Sequence, residues 1–471
     1  MTDTAAAPAR PASQPVALSR LAAFAAPSLP LAAMGLPFVV QLPAHYSSHV
    51  GIEEALVGII FMAARLLDIG VDLGVGLAMD QTRTRWGRFT PWLVVGCPLL
   101  SIGAYFLFFA EPGTSPVQLA IVLFATYCAF SMATLSQAAL GATLSDDYNE
   151  RSRVFTWWQA GNIIGMLLVL LLPVVVLGPG RDPAAGVHAM GWFVIILAPI
   201  AAIICALFAR EALPKAAPQR TSMADFKALL ASKACRRLLA SDLILMFSSG
   251  VTGGLFLFFF TAVKHYDMQA SSALLLIYFI AGLLGTPLWT LLARRTAKHV
   301  ALITACIYAM VTQPLIIFLP ENQFLVAAAV MAGAGLVYAA PAYLLRAMMA
   351  DVGDEDLLST GKDRTGLLYA MVTLTGKAGY AFAVGVTFVG LGFFGFEAEL
   401  GRENSAEALR GLTVMFIALP VVCCLVGAAL LKGYPLDAAR TAVVQAQLAA
   451  RADREAAAQG GAGGPAQPQA S

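Results

Sequence analysis

Residues 65–92 read RLLDIGVDLGVGLAMDQTRTRWGRFTPW, and this stretch decides how the rest of the chain is interpreted. It begins in an apolar segment that carries Arg65, Asp68 and Asp72, and it ends in a basic, turn-rich loop. Residues three and four apart share one side of a helix, so the three charges lie on one face. A charge in the middle of a bilayer costs at least ~2.5–3.5 kcal/mol. Three of them on one membrane helix therefore indicate a functional site.

The composition predicts an all-α integral membrane protein. Of the 471 residues, 59% are hydrophobic and only 12% are charged, whereas soluble domains carry about 25% charged residues. Apolar runs of about 20 residues, the length that crosses a hydrocarbon core as a helix, recur throughout. They predict twelve transmembrane helices in two six-helix halves, with spans at 21–44, 54–78, 91–110, 116–142, 154–178, 188–209, 238–262, 272–293, 299–319, 323–350, 365–393 and 408–432.

The charges between the spans predict the orientation. Lysines and arginines concentrate in alternate short loops, which are Arg83–Arg88, Arg151–Arg153, Arg294–Lys298 and Lys362–Arg364. Such loops stay cytoplasmic, so we expect a multi-pass protein of the cell (inner) membrane with both termini cytoplasmic. The expected partners are a small-molecule substrate, a monovalent cation and the lipid bilayer, without nucleic acid, and the chain is expected to be a monomer.

The chain divides into five predicted segments. Residues 1–17 and 433–471 are polar and rich in Ala, Pro, Gln or Gly, and their composition predicts disordered cytoplasmic tails. Residues 18–209 and 238–432 are the two six-helix halves. Residues 210–237 form a basic cytoplasmic linker whose second part has the spacing of a surface helix.

Two of the carboxylates in the quoted stretch lie near mid-membrane. Asp72 and Asp68 precede Asp80, at the end of the helix, by 8 and 12 residues, or about 12 and 18 Å. Two carboxylates one turn apart repel each other when both are ionised, so one holds a proton or the pair holds a cation. The alternative is structural: Arg65 pairs with Asp68 and holds neighbouring helices together.

Three spaced motifs resemble one family. They are DxxxD followed by GxxxDxTxxRWGRFxPW at residues 68–92, DDYNERSRV at 146–154, and ADVGDEDLLSTGKDRTGLLYAMVTLTGKAGYAFA at 350–383. Together they resemble the glycoside–pentoside–hexuronide:cation symporters, the melibiose-permease-like branch of the major facilitator superfamily. The resemblance covers about residues 18–435 and implies the major facilitator fold and alternating access.

The resemblance implies roles for particular residues. Asp68 and Asp72 would ligate the coupling ion, H⁺ or Na⁺, with Ser131 assisting, and Lys377 would link ion to substrate; a purely structural lysine–aspartate pair remains the alternative. No other cofactor, metal or catalytic residue is implied. The charged residues at the cytoplasmic ends of the spans, together with Arg65 inside the membrane, suggest a gate of ion pairs, each of small energy. Its predicted members are Arg65, Asp80, Arg85, Arg88, Arg151, Asp351, Asp354, Glu355 and Arg364.

The chain departs from the sugar-transporting members in its solute residues. The first span has no aspartate, the positions of the helix IV acid and aromatic are Thr134 and Ala138, and the helix V arginine position is Gln159. These changes weaken the case for a simple glycoside. The polar residues left as candidates for substrate binding are Gln137, Trp157, Trp158, Gln159, Asn162, Tyr343, Arg346 and Tyr380.

Arg346 lies inside an apolar run, where a guanidinium suits a carboxylate or phosphate and so indicates an anionic, hexuronide-like solute. The alternatives are that Arg346 extends to the membrane surface or pairs with Asp351.

The function predicted from these observations is secondary active, cation-coupled symport of a sugar-like or other small polar or anionic solute. A carrier of a non-sugar amphipathic or lipid-like solute, and a sensor or scaffold that does not transport, are the alternatives. An enzyme is not expected, because the sequence has no HExxH motif, Walker loop or evident nucleophile–base pair.

Overall fold

The computed structural model describes residues 16–144, 148–177, 184–209, 223–321, 323–362 and 364–461. Helices dominate these residues, and the one β-type contact described is an isolated bridge between Thr84 and Gly87. The helices before residue 210 are α1 Leu18–Ala25, α2 Ser28–Gly35, α3 Gln41–Ser48, α4 Glu54–Gln81, α5 Thr90–Phe108, α6 Pro116–Thr143, α7 Tyr148–Val176 and α8 Ala184–Phe208. Those after it are α9 Met223–Ala231, α10 Lys233–Phe258, α11 Met268–Arg295, α12 Lys298–Leu315, α13 Phe324–Gly335, α14 Ala340–Thr360, α15 Thr365–Phe393, α16 Ala406–Leu431 and α17 Ala438–Gly461.

Ten helical segments within the described residues are long and apolar enough to cross a membrane. A π-helical turn, Phe259–Val263, extends α10, and one 37-residue segment joins α13 to α14. Large apolar side chains are exposed along these helices, for example Ile196, Ile200, Ile203 and Leu207 on α8. An apolar face of this extent suits lipid rather than water. The membrane class predicted from composition is therefore confirmed.

The remaining two predicted spans differ from simple apolar helices. The first, 21–44, is broken into α1, α2 and α3, because Pro27, Pro30, Pro37 and Pro43 recur along it and proline removes a helical hydrogen bond. The second is α4, a continuous helix of 28 residues. With Arg65, Asp68 and Asp72, α4 carries more charge than an ordinary membrane span. It is therefore not one of the ten long apolar segments.

The chain packs into two compact units. Unit 1 comprises residues 1–218, 253–276 and 384–412, and unit 2 comprises residues 219–252, 277–383 and 413–471. These bounds differ from the six-plus-six division, because parts of α10, α11, α15 and α16 group with unit 1. Specific contacts explain the grouping: Phe258 packs against Phe388 and Phe396, and the Ala398 N–H donates to Glu54 Oε1 at 2.6 Å.

Within unit 1, small residues allow close helix packing. α5 packs against α6 and α8, α4 against α6, and α2 against α7. A Cβ on Gly165 of α7 would collide with the Leu29 carbonyl of α2, and one on Gly103 of α5 would collide with the Thr126 side chain of α6. Such close approach of small residues is the usual way that membrane helices associate. It places Ser131 of α6 beside the charged face of α4.

Unit 2 has a continuous buried core that α10, α12, α14 and α15 share. The close approach of α11 to the end of α13 depends on Gly285, where a Cβ would collide with the Leu336 carbonyl. That carbonyl accepts a hydrogen bond from Trp289 Nε1 at 2.9 Å. The break between α13 and α14 therefore has a fixed partner on α11.

The C-terminal segment is partly helical. Residues 438–461, which lie in the 433–471 segment that composition predicts to be disordered, form α17. Val444 on α17 is buried, and Arg440 Nη2 lies 3.3 Å from Glu355 Oε1 at the end of α14. Alanine, glutamine and arginine are good helix formers, and docking onto α14 supplies the tertiary contact that short helices need. Residues 1–15 and 462–471 of the predicted tails lie outside the described residues.

Candidate functional site

The charged face of α4 meets α6 inside unit 1. Asp68 is completely buried, and its Oδ1 accepts a hydrogen bond of 2.5 Å from Ser131 Oγ. A charge-assisted O–H···O⁻ bond has about this length. The structure thus brings together two of the residues that the resemblance assigned to the cation. Asp72, one turn further along α4, is half-buried.

Arg65 occupies the other side of the Asp68 carboxylate. Its Nη1 lies 3.7 Å from Asp68 Oδ2, and its guanidinium stacks over the Tyr127 ring, 5.0 Å from the centroid. The 3.7 Å separation is longer than a hydrogen bond. Arg65 thus forms an ion pair with Asp68, at a longer distance than the hydrogen bond from Ser131.

The loop after α4 is an ordered turn. Thr82 Oγ1 donates to the Ala78 carbonyl at 2.8 Å and accepts from Trp92 Nε1 at 2.9 Å. Gly87 has a φ of 106°, which only glycine adopts readily. The RWGRFTPW motif therefore closes the end of α4 onto the start of α5.

The predicted gate residues near this loop differ in their exposure. Arg85 is exposed, and Arg88 is half-buried with its guanidinium 5.2 Å from the centre of the Phe89 ring. The side chains of Asp80 and Arg151 lie outside the described residues. Their part in a gate stays a prediction.

The candidate solute residues of unit 1 centre on Trp158. Gln137 is buried, and its Nε2 donates at 2.9 Å to the Phe24 carbonyl and to Ser28 Oγ. Its Oε1 accepts from Trp158 Nε1 at 3.3 Å, while Asn162 Nδ2 donates to the Trp158 carbonyl at 2.9 Å. These bonds engage the Gln137 amide, so in this structure it orients Trp158 and the broken first span. Trp157 and Gln159, which flank Trp158 on α7, are exposed.

The candidate solute residues of unit 2 lie on α14 and α15. Tyr343 donates from its hydroxyl to the Thr286 carbonyl at 3.2 Å, and Tyr380 is half-buried on α15. Arg346 is exposed, and among the described residues its guanidinium donates one hydrogen bond, from Nη1 to the Ala342 carbonyl at 3.0 Å. Lys377 is half-buried on α15, and its link to the coupling ion rests on the family resemblance.

Two of the acidic residues that follow Arg346 on α14 form ion pairs with basic residues of unit 2. Lys298 Nζ lies 2.7 Å from Asp351 Oδ1, so the alternative pairing of Arg346 with Asp351 is wrong: a closer cation occupies that carboxylate. Sequence reasoning placed Lys298 in a basic loop without assigning it a partner. Asp354 is half-buried, and Glu355 pairs with Arg440.

Arg364 joins three elements of unit 2. Its Nη2 donates to Asp356 Oδ1 at 2.6 Å, and its Nη1 lies 3.5 Å from Asp225 Oδ1 on α9. The hydrogen bond to the Asp356 carboxylate raises the pKa of Arg364 further above its usual range. This permanently charged residue therefore binds the end of α14 to α9. Neither Asp356 nor Asp225 was among the predicted gate residues.

Sequence reasoning also missed Asp242. This residue of α10 is 2% exposed, and its Oδ2 accepts a hydrogen bond of 2.6 Å from Thr375 Oγ1 on α15. The signal was available, because Asp242 is an acid in the predicted span 238–262. A carboxylate at membrane depth is costly and usually functional, and this holds for Asp242 as it does for Asp68.

Comparison with known proteins agrees with these features. A family model described as MFS/sugar transport protein matches residues 23–438. The chain belongs to this family.

Relatives of this chain are named as symporters. The chain is 25% identical over 396 residues to the inner membrane symporter YicJ of Escherichia coli (strain K12), an alignment that covers 83% of this chain and 85% of that protein. It is 26% identical over 416 residues to the putative glycoside/cation symporter YagG of the same organism, covering 86% and 88% of the two chains. The resemblance to the glycoside–pentoside–hexuronide:cation symporters is thereby confirmed, and the protein is a transporter rather than an enzyme.

Solved structures support the same fold. The structure of the nucleoside transporter NupG aligns with a TM-score of 0.63 at 12% identity and covers 88% of this chain and all of that one. At this identity the likeness concerns the fold alone. The chain therefore has a major facilitator fold.

Proposed function

We propose that this protein carries out symport of a sugar-like solute, driven by H⁺ or Na⁺, by alternating access. The observation that carries the proposal is the buried Asp68 carboxylate, which accepts a hydrogen bond from Ser131 in an apolar bundle. The names of the relatives, a glycoside/cation symporter among them, support the same class of solute and ion. The alternatives of a lipid-like solute or of a sensor that does not transport are not favoured by those names.

The proposed topology has twelve spans. Ten of the spans are the long apolar segments. The other two are a broken first span formed by α1–α3 and a charged second span formed by α4. Broken helices and charged residues are tolerated at membrane depth where they line a cavity or contact protein. The arrangement of basic short loops supports cytoplasmic termini.

The proposed ion site is built from Asp68, Asp72 and Ser131. Carboxylate and hydroxyl oxygens suit Na⁺, and a carboxyl in an apolar environment suits a proton. Arg65 lies close enough to offset part of the negative charge when the site is empty. Binding of a cation would displace that contact, so that the Asp68 carboxylate would alternate between Arg65 and the ion.

The proposed solute residues are Trp157, Trp158, Gln159, Asn162, Tyr343, Arg346 and Tyr380. Aromatic faces and amide or guanidinium donors suit a sugar ring, which has apolar faces and hydroxyl edges. Gln137 would act by orienting Trp158. Lys377 is proposed to couple ion to solute, as the resemblance implies.

Uptake by the purified protein in proteoliposomes tests the proposal. We expect accumulation of one or more members of a panel of methyl glycosides and methyl glycuronides under an imposed Na⁺ or H⁺ gradient, and none without a gradient. Thermal shifts of the same protein with and without Na⁺ identify the ion. Solute-dependent stabilisation without flux under either gradient would instead indicate a sensor.

A further inference from the structure

One side of α3 presents polar side chains to a cavity inside unit 1. Gln41, His45 and His49 are spaced four residues apart, so they share that side of the helix, which His49 ends with helical backbone angles. All three line a cavity of about 50 Å³, together with Ser48 and residues from α7, α8, α10 and α11. Space of this size can hold a metal ion with a water ligand. Histidines in a membrane span that face a cavity indicate a binding site.

The two histidines have a spacing that one metal ion can bridge. The ring centres of His45 and His49 are 5.0 Å apart, and the ring planes lie 19° from parallel. Two imidazoles on one tetrahedral Zn²⁺, with Zn–N bonds of about 2 Å, have ring centres about 5 Å apart. Two histidines four residues apart on one helix face are also the arrangement by which HExxH helices bind zinc. Ligation requires the half-buried His49 ring to turn about χ2, which is a broad torsion.

The Gln41 amide provides an independent indication of a ligand. Gln41 is 6% exposed, and its Oε1 is buried and accepts no hydrogen bond from the residues that the structure describes. Buried acceptors without a partner are rare in proteins, and a bound water or ion is a usual explanation. Amide oxygens are established metal ligands. The Gln41 oxygen therefore fits as a third ligand beside the two imidazoles.

These ligands select the class of ion. Imidazole nitrogens suit Zn²⁺, Cu²⁺ and Ni²⁺, whereas Ca²⁺ and Mg²⁺ prefer oxygen ligands alone. The ring centre of His188 is 6.2 Å from that of His45, and the His188 ring stacks on Phe109 at 4.8 Å. Within the described ranges, no group of three or more His, Cys, Asp or Glu side chains is arranged to hold a metal ion. The site therefore has two imidazoles, one amide oxygen and a position open to water, as exchangeable zinc sites do.

We propose that Gln41, His45 and His49 form a binding site for a divalent transition-metal ion such as Zn²⁺, at the end of the broken first span. One ring nitrogen of each histidine and the Gln41 amide oxygen bind the ion, and water completes its coordination. Because the ion binds folded α3, it stabilises the folded chain. The proposal goes beyond the proposed function and does not depend on it, since it involves neither the ion site at Asp68 nor the proposed solute residues.

Calorimetric titration with ZnCl₂ tests the site on the full-length chain, solubilised in detergent and purified without a histidine tag. We expect one saturable Zn²⁺ per chain, no saturation by CaCl₂ or MgCl₂, and a melting temperature that ZnCl₂ raises. His49→Gln should weaken binding by at least about ten-fold, since loss of a ligand costs no less than loss of an outer-shell partner. His299→Gln is the matched control, because His299 is also half-buried but lies on α12, and it should bind Zn²⁺ as the wild type does.

A gain of affinity separates ligation from damage to the fold. Ser48 is exposed and lines the same cavity, three residues after His45. Ser48→His adds a third imidazole to this helix face and should tighten Zn²⁺ binding by about ten-fold or more. The EPR spectrum of bound Cu²⁺ reports how many imidazoles ligate it. We expect two in the wild type, one in His49→Gln and three in Ser48→His.

Several results would overturn the proposal. They are a wild-type chain without saturable Zn²⁺ binding, an equal loss of affinity in His299→Gln and His49→Gln, and a Cu²⁺ spectrum that His49→Gln leaves unchanged. A loss in His188→Gln as large as that in His49→Gln would refute the two-imidazole ligand set. If His49→Gln does not accumulate, the wild-type titration and Ser48→His decide, and an unchanged affinity in Ser48→His counts against the site.

Discussion

At the scale of single residues, the Asp68 carboxylate differs from an ordinary buried acid in the kind of partners it has. One oxygen accepts a short hydrogen bond from a neutral hydroxyl, and the other lies 3.7 Å from a guanidinium that also stacks on Tyr127. A tight bidentate pair with arginine would hold the carboxylate more strongly than a contact of 3.7 Å does. We propose that the coupling cation competes with Arg65 for this carboxylate.

The Ser131 hydroxyl is expected to strengthen ion binding. Ser131→Ala should raise the ion concentration that gives half-maximal uptake by about ten-fold, since a hydrogen bond to a charged group contributes about 1.5 kcal/mol. Ion-titrated uptake in proteoliposomes measures this. Ser136→Ala is the matched control, because Ser136 is also buried on α6 but donates to its own helix, to the Ala133 carbonyl. Equal effects of the two variants would argue for general packing damage.

Arg346 is expected to act on solute charge. Arg346→Gln should raise the apparent KM for a methyl glucuronide more than for the matching methyl glucoside, because the variant loses the guanidinium that suits a carboxylate. Arg346→Lys, which keeps the charge but loses the planar fork of donors, should retain the wild-type order of preference. A preference that Arg346→Gln leaves unchanged would place Arg346 outside the solute site.

At the scale of helices, the close contact of α11 with the end of α13 depends on the absence of a side chain. Gly285→Ala should lower the yield and the melting temperature of the detergent-solubilised protein, because its Cβ would meet the Leu336 carbonyl. Gly333→Ala on α13 has open space around it and should be neutral or slightly stabilising, since alanine is the better helix former by about 1 kcal/mol. Thermal melts of the two variants, side by side, make the comparison. An unaffected Gly285→Ala variant would contradict the packing described.

The pair formed by Lys298 of α12 and Asp351 of α14 should couple these helices. Lys298 is 37% exposed and Asp351 7% exposed, so removing the lysine leaves a carboxylate that water reaches poorly. Lys298→Ala is therefore expected to lower the melting temperature, and adding Asp351→Asn should restore part of the loss. Additive losses in the double variant would show that the two residues act independently.

At the scale of the whole molecule, coupling requires that ion and solute bind to the same states of the transport cycle. Asp68→Asn and Asp72→Asn should each abolish ion-driven accumulation, because an amide neither holds a proton in exchange nor attracts Na⁺ as a carboxylate does. Uptake against a concentration gradient, with membrane content measured by quantitative blotting, is the assay. Wild-type accumulation in either variant would remove that residue from the proposed ion site.

The sequence by itself determined the membrane class, the helical content and the family. Hydropathy determines which segments leave water, and the motifs at 68–92 and 350–383 carry enough spaced residues to define the family. Even Ser131 could be paired with Asp68 from the resemblance. These properties follow from local composition and order along the chain, which the sequence contains in full.

Only the tertiary structure decided which charges meet. Asp351 could have paired with Arg346 five residues away, but it pairs with Lys298, 53 residues earlier in the chain. Asp242 accepts its hydrogen bond from Thr375, 133 residues away. The composition after residue 433 also suggested disorder, whereas docking of Arg440 and Val444 accompanies a helix there. Such partners depend on how helices pack, and packing brings together residues whose separation along the chain carries no information about their contact.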